Sequence, residues 1–428
     1  MLQIVENPAR NLWQTLAARP ALNLWSLMDT VKEIFDDVAA NGDKAVIKYT
    51  EKYDNVTIPN YQASEEEING AEALLPEQLK VDMLKASMNI LKFHSLQRFE
   101  TNKVETTDGV TCWQKALPIE KVGLYIPGGR APLFSTVMML CIPASVAGCK
   151  EIILCTPPNR EGKIHPAILF AAKLSNVKKI YKAGGIQAIA AMALGTDTVP
   201  RVYKLFGPGN QYVTAAKQYA SFNGVAVDMP AGPSEVLVIG DETSNPEYVA
   251  ADLLAQAEHG PDSQSILVTT SKMLALKVAQ AVDRQILHLS RKSIIDQALA
   301  NSRIVVLKTL QQVIDFSNLY APEHLIVEIN DYELLIPRIN NAASVFLGHY
   351  TPESAGDYAS GANHTLPTNG NARAYSGVNY DSFVRKVTFQ EITNMGIKNL
   401  GPVITTLADH EELDAHSNSV RIRIKDIY

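Results

Sequence analysis

After Gly109, short β-rich runs alternate with helical ones, and this alternation restricts the chain to parallel sheets with helices packed on them. The runs are VGLYIP (122–127), EIILCTPP (151–158), KIYKAG (179–184), VYKLF (202–206) and VAVDM (225–229). Between them lie PLFSTVMML, PAILFAAKL, IQAIAAMAL and QYVTAAKQYA, which suit helices. The pattern resumes with SILVTT (265–270), RIVVLK (303–308), HLIVEI (324–329) and ASVFLG (343–348). A chain of 428 residues exceeds one ordinary core, so two α/β units of similar size are expected.

The flanks read differently. Residues 1–25 are polar with scattered Leu and Trp, which suggests an arm rather than a core. From Leu27 to about Phe99 helical spacing dominates, with Val31, Ile34, Phe35 and Val38 on one stripe and a stop at Gly42. His94 in this region reads as a surface or half-buried helix residue. From about Ser376 the strand signal fades, and the tail reads as helices with a short break at Gly401-Pro402. A tail this apolar needs something to pack on.

A net charge of −6 gives no electrostatic reason to expect nucleic acid or an anionic membrane. Cys112, Cys141, Cys149 and Cys155 form no CxxC pair, which fits reduced thiols in a cytoplasmic protein. The N-terminus lacks the apolar core of a signal peptide. The most apolar run, 135–149, is interrupted by Pro143 and is too short to span a bilayer.

The stretch DLLAQAEHGPDSQ (252–264) ends a helix that should begin at Asn245, a good cap, with Pro246 in the first helical position. Ala250, Leu253, Leu254 and Ala257 make its apolar stripe, and Gly260-Pro261 stops it. Asp252, Gln256 and His259 fall on the opposite face. Gln256 and His259, three apart, can reach one point, which is either half a metal site or an ordinary solvated face.

Other stretches could carry chemistry. The turns PGG (127–129), AGG (183–185) and GPGN (207–210) follow strands and open helices. Their backbone N–H groups can meet a phosphate, although none matches GxGxxG. Ser234 sits in a Gly-Pro turn before a strand. APEHL (321–325) sets Glu323 beside His324, a pair able to move protons near neutral pH, or a polar turn. TPESAGDYASGANH (351–364) reads as a long polar loop carrying Asp357 and His364.

The segments VGLYIPGG, GGIQAIAAMALGT, FGPGNQYV, DMPAGPSEVLVI, DLLAQAEHGPDSQ, YAPEHL and SAGDYASGANHTLPT together resemble histidinol dehydrogenases, in that family's order. They cover most of 120–370. Ala362 departs from the Thr common there. The resemblance implies one Zn²⁺ per subunit on Gln256, His259, Asp357 and His416, with Glu323 and His324 as the catalytic pair. It implies substrate contacts from Ser234, Gln256, His259, His324, Asp357, His364, Glu411 and His416. It implies NAD contacts from Tyr125, Gln187 and Asn210.

The expected fold is α/β, with two atypical, incomplete Rossmann-like parallel-sheet domains, an N-terminal helical arm and a C-terminal helical tail. The expected division is an arm at 1–25, one domain from 26–125 and 234–378 carrying most of the site, an NAD domain at 126–233, and a tail at 379–428 used in dimerisation. The implied reaction is oxidation of L-histidinol to L-histidine with two NAD⁺, in a homodimer with active sites shared between chains. The rivals are a zinc hydrolase, which lacks HExxH here, a non-catalytic metal-stabilised dimer, and a cysteine-based aldehyde dehydrogenase.

Overall fold

The computed structural model describes residues 2–20, 24–58, 60–128, 131–230 and 232–427. Gly129 of the PGG turn and Ala231 of the MPAGPSEV turn lie outside the described residues. Two all-parallel sheets carry the α/β alternation. One has five strands in the order Lys179–Lys182, Glu151–Thr156, Lys121–Tyr125, Lys204–Phe206, Ala226–Val227. The other has six, in the order Gln3–Glu6, Arg303–Val306, Gln264–Thr269, Glu235–Gly240, His324–Glu328, Ser344–Leu347. Every strand read from the alternation is present within a few residues. The central strands are buried, so they read as apolar runs rather than as alternating ones.

The arm does more than the sequence reading allowed. Gln3–Glu6 is the edge strand of the six-stranded sheet, and Trp13 is buried edge-on against Phe316. Arg19 reaches further, to Glu235, whose backbone N–H is bonded to Glu323. Its guanidinium pairs with Glu235 and donates to the Tyr320 carbonyl at 2.7 Å. It also stacks 3.8 Å from the Tyr320 ring centroid.

The cores group differently from the expected division. Val31, Ile34, Phe35, Ala45 and Val46 pack with Tyr125, Ile153 and Ile189. Met83 and Ile90 pack with Val122, Leu124 and Leu140. The helices of 28–95 therefore pack onto the helices that flank both faces of the five-stranded sheet, rather than joining the cores of the six-stranded one. Their apolar stripes are complementary to whichever sheet lies nearest, and sequence spacing does not name that sheet.

The tail also differs from expectation. Val384–Ile392 is a nine-residue strand, antiparallel to Val110–Pro118, which pairs on its other side with Lys103–Thr107. Trp113 and Phe389 stand opposite each other and stack, the kind of cross-strand pair that stabilises a two-sided ladder. Two helices follow, Asn394–His410 and Asp414–Lys425. The expected break at Gly401-Pro402 lies inside the first of them. Pro402 cannot donate within the helix, but Gly401 suits the packing: a Cβ there would stand 2.4 Å from Ile424 Cδ1 of the second helix. Among the described residues no helix is long and apolar enough to cross a membrane.

Candidate active site

The organising helix forms as its caps and stripe require. It spans Pro246–Ala257, and the Asn245 side chain accepts the Glu247 N–H. Val249, Ala250, Leu253, Leu254 and Ala257 are buried in the core of the six-stranded sheet. The face read as polar is not solvated. Asp252 and Gln256 are buried too, and neither atom of the Gln256 amide has a hydrogen-bond partner among the described residues. A buried amide left unsatisfied on both atoms costs free energy unless a ligand completes it.

The covering element is a short helix, Glu353–Tyr358, within the stretch read as an irregular loop, and it packs against Pro246–Ala257. Glu353 and Asp357 are four apart and share one face. Atoms of His259, Glu353 and Asp357 all lie within 4.8 Å of one another and could hold a metal ion. Sequence reading missed Glu353. The i, i+4 carboxylate pair just after Pro352 was the available signal. Burial, then their mutual charge and that of Glu323, pushes Glu353 well above the usual carboxylate range, and burial pushes Asp357 up to about 7. His259 lies at the open side in contact with solvent; crowding by protein, then Arg291, holds it below the ordinary histidine value. Carboxyls forced together this way are relieved by a cation. An imidazole, two carboxyls and an amide oxygen are a donor set that suits zinc.

Glu323 and His324 sit at the start of the strand His324–Glu328, next to Glu235–Gly240 in the sheet. Glu323 is buried, and its Oε2 accepts the Glu235 N–H at 3.0 Å. The Ser234 hydroxyl lies against the same carboxyl. Burial raises Glu323 well above the usual range, against the pull of that N–H. His324 Nδ1 is 3.7 Å from Glu323 Oε2 and 3.6 Å from Glu353 Oε1, and Nε2 is 3.8 Å from Asp357 Oδ1. Among the described residues neither ring nitrogen has a hydrogen-bond partner. Burial, then His259, lowers His324 to about 3, so its ring is a neutral base. His364 is close by, with Nδ1 2.9 Å from the Asp357 carbonyl.

The five-stranded sheet offers a second site. Its chain order reverses between Lys121–Tyr125 and Lys204–Phe206, and ligands of open α/β sheets bind at the carboxyl ends of strands at such a point. Tyr125 ends the central strand, buried, with its hydroxyl accepting the Gly185 N–H at 3.2 Å. Gln187 is buried, and among the described residues neither of its amide atoms has a hydrogen-bond partner. Asn210 caps the helix Gln211–Phe222, accepting the N–H groups of Tyr212 and Val213. Gly207, at φ 122°, lets the turn pass Tyr125; a Cβ there would lie 2.1 Å from the Tyr125 carbonyl oxygen.

His416 and Glu411 are exposed on the tail, and His416 is not among the residues whose atoms converge with His259 and Asp357 in this chain. Cys141 and Cys155 are buried, and burial raises both thiols; it pushes Cys149 up to about 12. None is a poised nucleophile.

A double parallel-sheet enzyme, with a buried acid–base pair beside a cation cluster in one unit and a strand-end crevice in the other, is the class that this fold and these residues define. A family model described as Histidinol dehydrogenase matches residues 17–424. The chain is 58% identical over 427 residues to a histidinol dehydrogenase of Bacteroides thetaiotaomicron, covering 100% of both. It is 48% identical to one of Vibrio vulnificus, covering 97% of this chain and 98% of the relative. The crystal structure of histidinol dehydrogenase from Elizabethkingia anophelis superposes with a TM-score of 0.98 at 54% identity, covering 100% of this chain and 98% of that one. The chain belongs to the histidinol dehydrogenase family and is an oxidoreductase.

Proposed function

We propose that the protein oxidises L-histidinol to L-histidine through L-histidinaldehyde, a four-electron reaction that consumes two NAD⁺ and requires one Zn²⁺ per subunit. The observation that carries the reading is the orphaned amide of Gln256 on the helix that packs against Glu353 and Asp357, within a few residues of His259. In this reading Gln256, His259 and Asp357 hold zinc, and His416 from a second chain completes the set. When bound, zinc anchors the imidazole and amine of the substrate, and NAD⁺ near Tyr125, Gln187 and Asn210 accepts hydride.

The remaining work falls to side chains. His324, neutral and unpartnered on both nitrogens, takes the hydroxyl proton as hydride departs. Glu323, lifted by burial, exchanges a proton readily and activates the water that must add to the aldehyde. Ser234 and the Glu235 N–H fix that carboxyl, and in this reading Ser234 and His364, with Glu411 from the second chain, line the substrate. Two copies of the chain share each site, and the protein works in the cytoplasm. The test is stoichiometry. Histidinol and NAD⁺ in excess of zinc-loaded protein should yield about two NADH per histidinol consumed, one for each two-electron step. A ratio of one would reduce the reaction to an alcohol dehydrogenation, and no NADH at all would remove the dehydrogenase reading.

A further inference from the structure

Asn363 and His364 follow the short helix Glu353–Tyr358, yet both are fastened to a helix of the other unit. Asn363 Nδ2 donates to the Met139 carbonyl at 2.6 Å, and His364 Nε2 lies 3.1 Å from Thr136 Oγ1. Met139 and Thr136 both belong to the helix Phe134–Ala147, which comes after the central strand Lys121–Tyr125 of the five-stranded sheet. Asn363 is itself immobilised. Its Oδ1 accepts the Thr365 N–H at 2.9 Å, and its amide lies 3.5 Å from Nε2 of the buried His94.

The two bonds to the His364 ring decide its tautomer. Nδ1 faces the Asp357 carbonyl, which only accepts, so Nδ1 carries the proton. Nε2 is then a bare lone pair, and the Thr136 hydroxyl must be the donor. Both nitrogens are thereby occupied within the chain. His364 is left to offer substrate its ring face and edge, and it joins Thr136 to the backbone of Asp357.

We propose that Thr136 is a positioning residue, acting through His364 to set the Asp357 helix against the helix of the cofactor unit, and so to set substrate affinity. The inference rests on the dehydrogenase reading, in which Asp357 and His364 face histidinol. Thr136→Val keeps the shape and removes the donor. Thr136→Ser keeps the donor and removes a methyl. The expected result is a KM for histidinol raised roughly 3- to 10-fold in Thr136→Val, the range for one lost hydrogen bond, with the KM for NAD⁺ unchanged. Thr136→Ser should restore the wild-type value. In a His364→Ala background Thr136→Val should add nothing, since the partner is already gone.

If Thr136 served packing alone, Ser would be the worse of the two variants. Ser no better than Val, or a wild-type KM in Thr136→Val, overturns the proposal. Wild-type protein that makes no NADH from histidinol would sink the dehydrogenase reading instead. The ¹⁵N signals of the His364 ring then decide the strut. They should report an Nδ1–H tautomer in wild type and shift in Thr136→Val, and an unshifted ring would dismiss it.

Discussion

Glu353 and Asp357 flank opposite nitrogens of one ring: Glu353 Oε1 stands 3.6 Å from His324 Nδ1, and Asp357 Oδ1 stands 3.8 Å from His324 Nε2. Burial is the first cause of all three shifts, which raise the two carboxyls and lower the imidazole, and a divalent cation would favour the ionised carboxyls. Metal content should therefore follow these side chains. His259→Asn and Asp357→Asn should each lose zinc, since each removes one donor of a set of about four. Glu353→Gln keeps the shape and removes a charge, so it should weaken zinc retention less than Asp357→Asn. Metal analysis after dialysis checks the order. Full occupancy in His259→Asn and Asp357→Asn would move the site elsewhere.

The acid–base pair should divide by step. His324→Asn should slow both oxidations, because each needs a proton removed as hydride leaves. Glu323→Gln should slow chiefly the aldehyde step, where water must be activated. Loss of one such group costs roughly 10²–10⁴-fold. Supplying histidinaldehyde directly separates the steps. A Glu323→Gln variant that oxidises the aldehyde at the wild-type rate has no water-activating role at that position.

Much of this was legible in the sequence, and the misses have physical reasons. The helix Pro246–Ala257 announced itself, because cap, first-turn proline and stripe are local signals that agree. The burial of Asp252 and Gln256 did not, since the helix that covers them begins about a hundred residues later. Glu353–Tyr358 was hidden because a six-residue helix shows too little periodicity among Gly and Ser. Val384–Ile392 reads as a strand only beside Val110–Pro118, its distant partner. Arg19 sits in a polar arm, and nothing local says that its partner is Glu235.

Arg19 should matter far more than its place in an arm suggests. The Glu235 side chain is buried against it, while the Glu235 N–H holds Glu323. Arg19→Met leaves a buried carboxyl, which burial already pushes upward, without its charged partner and with only the backbone N–H groups of Asn369 and Gly370 against it. Breaking such a pair from one side costs about 3–5 kcal/mol. Denaturant unfolding should register that loss. Arg19→Lys should recover part of it, because a point charge replaces a fork that also meets the Tyr320 carbonyl. Unchanged stability in Arg19→Met would mean that the arm is not anchored there.

Asp54 gives a pH signature away from the metal cluster. It ends the helix Asp43–Asp54, where a negative charge opposes the dipole, and its Oδ2 is buried without a partner. Burial raises its pKa to about 6, above the ordinary unfolded value of about 3.9. The folded state thus binds the proton more tightly, so stability falls as pH rises from about 4 to about 6 and is level beyond. Asp54→Asn removes that loss. It should stabilise the protein above pH 7, by at most about 1 kcal/mol once solvent screening is allowed for, and the gain should vanish near pH 4. A gain that is the same at both pH values would assign the effect to something other than ionisation.

The last expectation concerns the exposed tail. Val403 and Leu407 on the first tail helix, Ile422 on the second and Leu413 in the turn between them are exposed, while His416 and Glu411 lie outside the cluster of their own chain. An apolar surface beside two site residues without a site fits a two-fold dimer in which each tail serves its partner. Complementation tests it. One chain carries His259→Asn and the other His416→Asn, each inactive as a homodimer. Unfolded and refolded together, a mixed dimer gathers both defects in one site and neither in the other. Random pairing makes about half the dimers mixed, each with one sound site of two, so activity should return to about a quarter of wild type. A mixture that stays inactive while wild type refolds normally would return His416 to its own chain or remove it from the metal.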